Sequence, residues 1–175
     1  MFKKTLSLMA LMLFGLLFVG CCPTTRLNVT VELDDAMKQS LGSRQIRVDL
    51  VGLNAQQHVR WQNYSMTKYW EPGDPVRESV PTKELIFDSK NSVQTLSNKD
   101  SLWDKWLADT GDKAMPRLYV LALLPGLIQD QDGNKDPRRL ILPLGKCRWD
   151  STDVHIIVSQ TGIIPHPAPR TKPTD

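Results

Sequence analysis

Cysteine and histidine are both scarce in this chain, three of each among 175 residues. The histidines, His58, His155 and His166, stand far apart in sequence, and none belongs to a His-Glu-x-x-His run that would place two zinc ligands on one helix face. There is no Gly-x-Ser-x-Gly elbow to present a nucleophile and no glycine-rich loop to cradle a phosphate. A triad gathered from distant residues leaves no sequence signature; short of that, nothing points to an enzyme or implies a cofactor. Long hydrophobic runs are also lacking, with one exception. Residues 5–18 carry no charge, yet they fall short of the roughly 18–20 residues that cross a bilayer.

That exception sits behind Lys3 and Lys4 and ends at Val19-Gly20-Cys21. A positive start, an apolar core and a small residue before the end form the order of a cleaved export signal over residues 1–20. The segment Leu17-Phe18-Val19-Gly20-Cys21 resembles the lipobox of bacterial lipoproteins, with Phe18 in place of the usual leucine. The resemblance implies that Cys21 carries the lipid and begins the mature chain. Several acyl chains at about 0.8 kcal/mol per buried methylene would make that membrane attachment effectively permanent. Cys22, not aspartate, follows the acceptor, which in that family favours the outer membrane, facing the periplasm. The chain has 22 basic and 19 acidic residues. Without Lys3 and Lys4 the balance is 20 against 19, a formal +1, and no basic cluster argues for nucleic acid or anionic lipid. The two cysteines left, Cys22 and Cys147, either pair in an oxidising compartment or stay as free thiols.

After a short tether at residues 21–25, Leu27, Val29, Val31 and Leu33 alternate with polar residues, the mark of a strand with one buried face. Residues 36–41 have the makings of a helical turn closed by Gly42. Ile46, Val48 and Leu50 form a second alternating run. Residues 55–70 lack Gly and Pro and predict a helix capped by Asn54, ended by the Pro72-Gly73-Asp74-Pro75 turn. Residues 84–88 and 92–96 predict weaker strands. Residues 98–109 predict an amphipathic helix carrying Leu102, Trp103, Trp106 and Leu107 on one face, capped by Asn98 or Asp100 and ended by Gly111. Residues 118–124 are nearly all apolar, as expected of a strand buried on both sides or covered by a helix. Residues 139–144 form its partner, and Pro143 places that partner at a sheet edge or a bulge. Val154, Ile156 and Val158 mark a last strand, and residues 165–175, with four prolines, read as a disordered or extended tail. Roughly seven strands in one domain, residues 26–164, predict a mainly β, antiparallel sandwich with one or two short helices.

Two clusters invite a ligand reading. Asp130, Asp132, Asn134 and Asp136 set oxygens at alternate positions around Gly133, as in the start of a calcium loop. The same residues suit a tight connection, and Ile141 stands where a calcium loop would end in glutamate. Trp61, Tyr64, Tyr69 and Trp70 form an aromatic group that would offer a platform for a small ligand or cell-wall component. Trp103 and Trp106 suit core packing or a partner surface, and Trp149 either one.

The order of elements also resembles the outer-membrane lipoprotein of type VI secretion systems: lipidated cysteine, tether, strand, polar loop, second strand, helical insertion, the hairpin joining Tyr119-Val120-Leu121-Ala122 to Leu140-Ile141-Leu142, and a final strand. The resemblance implies a transthyretin-like sandwich with added helices, acting as a scaffold that docks a periplasmic or inner-membrane protein. It also implies that the loop at residues 34–43 docks the partner, with Asp34, Asp35, Met37, Lys38 and Leu41 as the candidate contacts.

Overall fold

The computed structural model describes residues 22–108, 116–126 and 129–170. The export segment, Cys21, Gly111 and the last five residues lie outside the described residues.

Alternation at Leu27–Leu33 becomes β1 (Asn28–Leu33), whose odd-numbered side chains are all buried. Asp34 then caps α1 (Asp35–Leu41), its Oδ1 accepting the Met37 N–H at 2.6 Å, and Gly42 ends it at φ +56°, where a Cβ would be strained. The chain continues through β2 (Ile46–Leu53), α2 (Ala55–Trp61), α3 (Met66–Tyr69), α4 (Pro75–Glu78), β3 (Lys83–Phe87), β4 (Val93–Leu96) and α5 (Leu102–Leu107). It closes with β5 (Arg117–Ala122), β6 (Arg139–Pro143), β7 (Asp153–Ser159) and β8 (Gly162–His166).

The strands form two four-stranded sheets, ordered β4-β1-β7-β8 and β3-β2-β5-β6. The sandwich is therefore mainly β, as the periodicity requires, with three departures. β1 and β7 pair in parallel, Val29 opposite Val154 and Val31 opposite Ile156, because the chain crosses from one sheet to the other between β6 and β7 and enters the first sheet in the direction of β1. An eighth strand extends into the segment read as tail: Pro165 and His166 belong to β8. Pro165 is tolerated because β8 is an edge strand, where no ladder hydrogen bond is lost on the open side. Pro143 likewise lies in the edge strand β6.

The third departure concerns residues 55–70. They form two short helices instead of one, because Ser65 takes a cap position and its hydroxyl accepts the Lys68 N–H at 3.1 Å, starting a new helix at Met66. Val59 is 68% exposed, whereas Trp61, Met66 and Tyr69 are buried. The apolar stripe resumes in a new direction after the break.

Two cores result. Between the sheets lie Leu27, Val29, Val31, Leu33, Val48, Leu50, Leu118, Val120, Ala122 and Ile156, with Trp103 and Trp106 of α5 and Met37 and Leu41 of α1. On the outer face of the second sheet, Val51, Leu53, Tyr119 and Leu121 meet Trp61, Met66, Tyr69 and Val76 of the helical layer. The continuous apolar run of β5 thus serves two layers at once, each fully buried side chain contributing about 1.5–3 kcal/mol.

Gly52 shows how closely α5 approaches. A Cβ there would lie 2.4 Å from Cγ and 2.5 Å from Cβ of Trp106. Trp106 cannot retreat easily, since its Nε1 donates to the Pro81 carbonyl at 2.7 Å and its ring packs edge-on against Trp103. Gly52→Ala is expected to destabilise the domain by about 2–3 kcal/mol through overpacking, read as a lowered midpoint in urea unfolding with unchanged slope.

Candidate docking end of the sandwich

The strand directions give the sandwich two ends. At one, the entering chain is bound to the connection between β6 and β7. Cys22 and Cys147 form a disulfide with Cα atoms 5.6 Å apart. The Lys146 N–H donates to the Pro23 carbonyl and the Thr25 N–H to that of Leu144, both at 2.7 Å. Thr24 and Gly145 form an isolated antiparallel bridge. β1 leads away from this end and delivers the chain, six residues at about 3.3 Å each later, to the other.

The far end gathers α1, residues 42–45, the turn at residues 88–92 and the turn between β7 and β8. The Gln160 side-chain amide donates to the Ala36 carbonyl at 3.4 Å, and the Asp34 N–H donates to that of Val158 at 3.0 Å. Gly42, Ser43, Gln45, Asp88, Ser89 and Lys90 line a shallow groove of about 230 Å³ there. Of the five residues expected to meet a partner, Met37 and Leu41 are instead buried in the sandwich core, because residues 35–41 are helical and helical spacing turns both inward. Asp34 is engaged as the cap. Asp35 is open to solvent, its side chain 89% exposed, and Lys38 bridges Glu32 at 3.1 Å and Asp35 at 3.2 Å. Those two bonds raise the Lys38 pKa, Glu32 first and Asp35 second. Glu32 also meets Nε2 of His155 at 3.0 Å.

The oxygen cluster at residues 130–136 holds a guanidinium where a calcium ion was considered. Arg138 is 3% exposed; its Nη2 donates to Asp130 Oδ1 at 2.6 Å and to Asp136 Oδ2 at 2.8 Å. Asp130 also accepts from the Ser65 hydroxyl and from the Thr67 N–H at 2.9 Å, and Asn134 Oδ1 accepts the Ile141 N–H at 3.0 Å. With the carboxylates of Asp130 and Asp136 committed to one internal cation, the calcium reading fails. Among the described residues no group of three His, Cys, Asp or Glu side chains is placed to hold a metal ion.

Partial burial pushes the Asp130 carboxyl up, but hydrogen bonds from Ser65, Thr67 and Arg138 outweigh it and hold it at about 2. Burial likewise opposes, and Arg138 with the backbone of Arg138 and Gln131 overrides, in lowering Asp136. A carboxyl whose pKa lies lower in the folded than in the unfolded chain contributes stability that is complete above about pH 4 and fades as the pH falls toward the folded value. Stability is therefore expected to decline between about pH 4 and pH 2. Asp130→Asn should flatten part of that slope while lowering stability at pH 7, as measured by urea midpoints at pH 7, 4 and 2.5.

Two of the four aromatics are interior and the other two, Tyr64 and Trp70, are half-buried and engaged, so the group is not a free platform. Trp61 and Tyr69 are buried at 4% and 1% exposure, stacked edge-on with ring centroids 5.7 Å apart. The Tyr64 hydroxyl donates to Asp74 at 2.6 Å, a bond that, aided by burial, pushes its pKa up to about 12. Trp70 is covered by the guanidinium groups of Arg77, 4.9 Å from the ring centroid, and Arg47, at 5.5 Å. The ligand-platform reading falls with these contacts. Beneath them lies a feature that sequence reasoning missed. Asp49 is fully buried on β2, accepting from the Tyr69 hydroxyl at 2.8 Å and from Arg77 Nε at 2.8 Å. Burial first, and then the Asp49 charge, drives the Tyr69 pKa far above the ordinary tyrosine value.

The remaining sequence candidates are structural. Trp103 and Trp106 lie in the core, and Trp149, 7% exposed, donates to the Pro143 carbonyl at 2.8 Å. Nδ1 of His58 lies 2.6 Å from the Tyr119 hydroxyl, and burial, with Arg117 nearby, lowers its pKa. His155 and His166 face each other across β7 and β8. No helix among the described residues is long and apolar enough to cross a membrane.

Two packed sheets with helices over one outer face define the class of fold. No protein-family model matches the chain, and no curated protein matches it in sequence. Among solved structures, a chain of a type VI membrane complex shares the fold at a TM-score of 0.51 and 14% identity, covering 81% of this chain and 98% of that one. Lip of Serratia marcescens, a membrane-bound component of the type VI secretion system, matches at 0.48 and 12% identity over 87% of this chain and all of its own. The type VI lipoprotein TssJ1 of Pseudomonas aeruginosa matches at 0.44 and 15% identity over 86% of this chain and all of its own. The architectural resemblance read from the order of elements is present in the fold.

Proposed function

We propose that this chain is a lipid-anchored envelope lipoprotein, attached through Cys21 and facing the periplasm from the outer membrane. In this reading it serves as a non-enzymatic docking subunit of a type VI secretion membrane complex. The observation that carries the reading is the separation of the two ends. The disulfide-bound tether lies one residue from Cys21, and α1 with its neighbouring turns stands at the opposite end of the sandwich. An anchored domain of this build turns its far end toward the periplasm, where the partner is the periplasmic part of an inner-membrane subunit. The likeness in fold to a chain of a type VI membrane complex supports that choice.

Because Met37 and Leu41 support the core, deleting residues 34–43 would unfold the domain and test nothing. Surface changes are the proper probe. Asp35→Lys combined with Gln39→Arg alters two exposed side chains of α1. It is expected to weaken copurification of the inner-membrane subunit by about tenfold or more, as reversal of charge at an interface does, with the urea midpoint lowered only slightly, since the Lys38 pair it removes is exposed. Undiminished copurification would sink the docking assignment. Anchoring is read separately, by loss of palmitate incorporation in Cys21→Ser.

A further inference from the structure

Resting on the anchoring reading above, we propose that the tether end of the sandwich is a headgroup-contacting surface for anionic phospholipid, centred on Lys146 and Arg148. These two residues flank Cys147, whose disulfide holds Cys22. The acylated Cys21 is the next residue, so their backbone lies within a few residues' reach of the bilayer. Lys146 is held there by its own N–H, which donates to the Pro23 carbonyl at 2.7 Å, and its side chain is exposed. Neither Lys146 nor Arg148 has a side-chain hydrogen bond or ion pair among the described residues, and the Arg148 Nε is shielded without an acceptor. Arg26 and Arg170 lie at the same end, paired with Asp104 and Asp150 respectively. Those pairings leave Lys146 and Arg148, the basic side chains nearest the tether, without a carboxylate partner among the described residues.

Composition hides this surface, because the mature chain is close to neutral overall. The disulfide and the bridge between Thr24 and Gly145 bring the basic pair against the tether. Opposite charge on the leaflet would draw them down, each basic side chain near the surface adding an attraction that falls away within a Debye length. The domain would then stand on its tether end with α1 directed outward.

The test uses the full lipidated protein in two kinds of vesicle, phosphatidylcholine alone and phosphatidylcholine with one-third phosphatidylglycerol. Amine-reactive labelling followed by peptide mass spectrometry reads Lys146, with Lys90 at the far end as internal reference. Lys146 is expected to label on the order of tenfold more slowly in the anionic vesicles than in the neutral ones. Raising the salt to about 0.5 M should remove the difference, and Lys90 should label equally throughout. Equal labelling of Lys146 in both vesicles, with acylated Cys21 seen in the N-terminal peptide, overturns the headgroup surface alone. An N-terminal peptide without acyl chains overturns the anchoring and the surface with it.

Discussion

Asp49→Ala should lower the stability of the domain by about 3–5 kcal/mol, the cost of removing one partner from a buried ion pair. The loss has two sources. The Tyr69 hydroxyl, buried between β2 and the helical layer, is left without an acceptor, at about 1–3 kcal/mol. Arg77 loses the carboxylate under its guanidinium and keeps only that of Glu84, 3.0 Å away and exposed. Asp49→Asn retains an acceptor for Tyr69 and forfeits the charge facing Arg77, so it should fall between Asp49→Ala and the wild type. Tyr69→Phe should cost about 1–2 kcal/mol, since it removes the donor but leaves Asp49 paired with Arg77. Urea unfolding of the three variants orders them. An Asp49→Ala midpoint equal to that of the wild type would show that the pair does not hold the helical layer to the sheet.

Removing the disulfide is the second large change. Cys22 and Cys147 are 125 residues apart in sequence, so the bridge encloses β1 to β6 in one covalent loop. By loop-closure entropy a cross-link of that span restricts the unfolded chain by about 4–5 kcal/mol. At a urea slope of about 2 kcal/mol per molar, Cys147→Ser should unfold about 2 M earlier. The folded variant should keep the hydrogen bonds that join Pro23 and Thr25 of the tether to Lys146 and Leu144, so its circular dichroism at zero urea should match the wild type. A shift below about 1 kcal/mol would mean that the bridge constrains the tether and not the unfolded domain.

Much of this fold was legible in the residues, and the parts that were not have physical reasons. β1 and β7 declared themselves in their alternation, and β5 in its continuous apolar run. The break between α2 and α3 did not, because Ser65 serves as a cap only once Asp130 and the sheet fix the helical layer. β8 was hidden by Pro165, which reads as a strand breaker unless the strand is known to lie at an edge. The parallel pairing of β1 with β7 depends on how the chain crosses between sheets, and no local pattern encodes that. Asp49 did leave a signal. It shares parity with Val51 and Leu53 on β2, so a carboxylate sits between Arg47 and an apolar stretch of the face that the helical layer covers, and burial there demands a partner. The stretch at residues 34–43 was expected to offer five contacts, but its residues sorted only when α1 formed. Helical spacing sends Met37 and Leu41 inward and leaves Asp35 outside.

The parallel pair has a mechanical meaning. A pull between the tether and α1 runs along β1, which is hydrogen-bonded to β7 on one side and β4 on the other. The rungs on both sides would have to slide in shear together, with no end from which they could be peeled one at a time. Cys147 passes the same load into the stretch that leads to β7. The sandwich is laid out to bear tension along its length, as a coupling between two moving bodies would need to be.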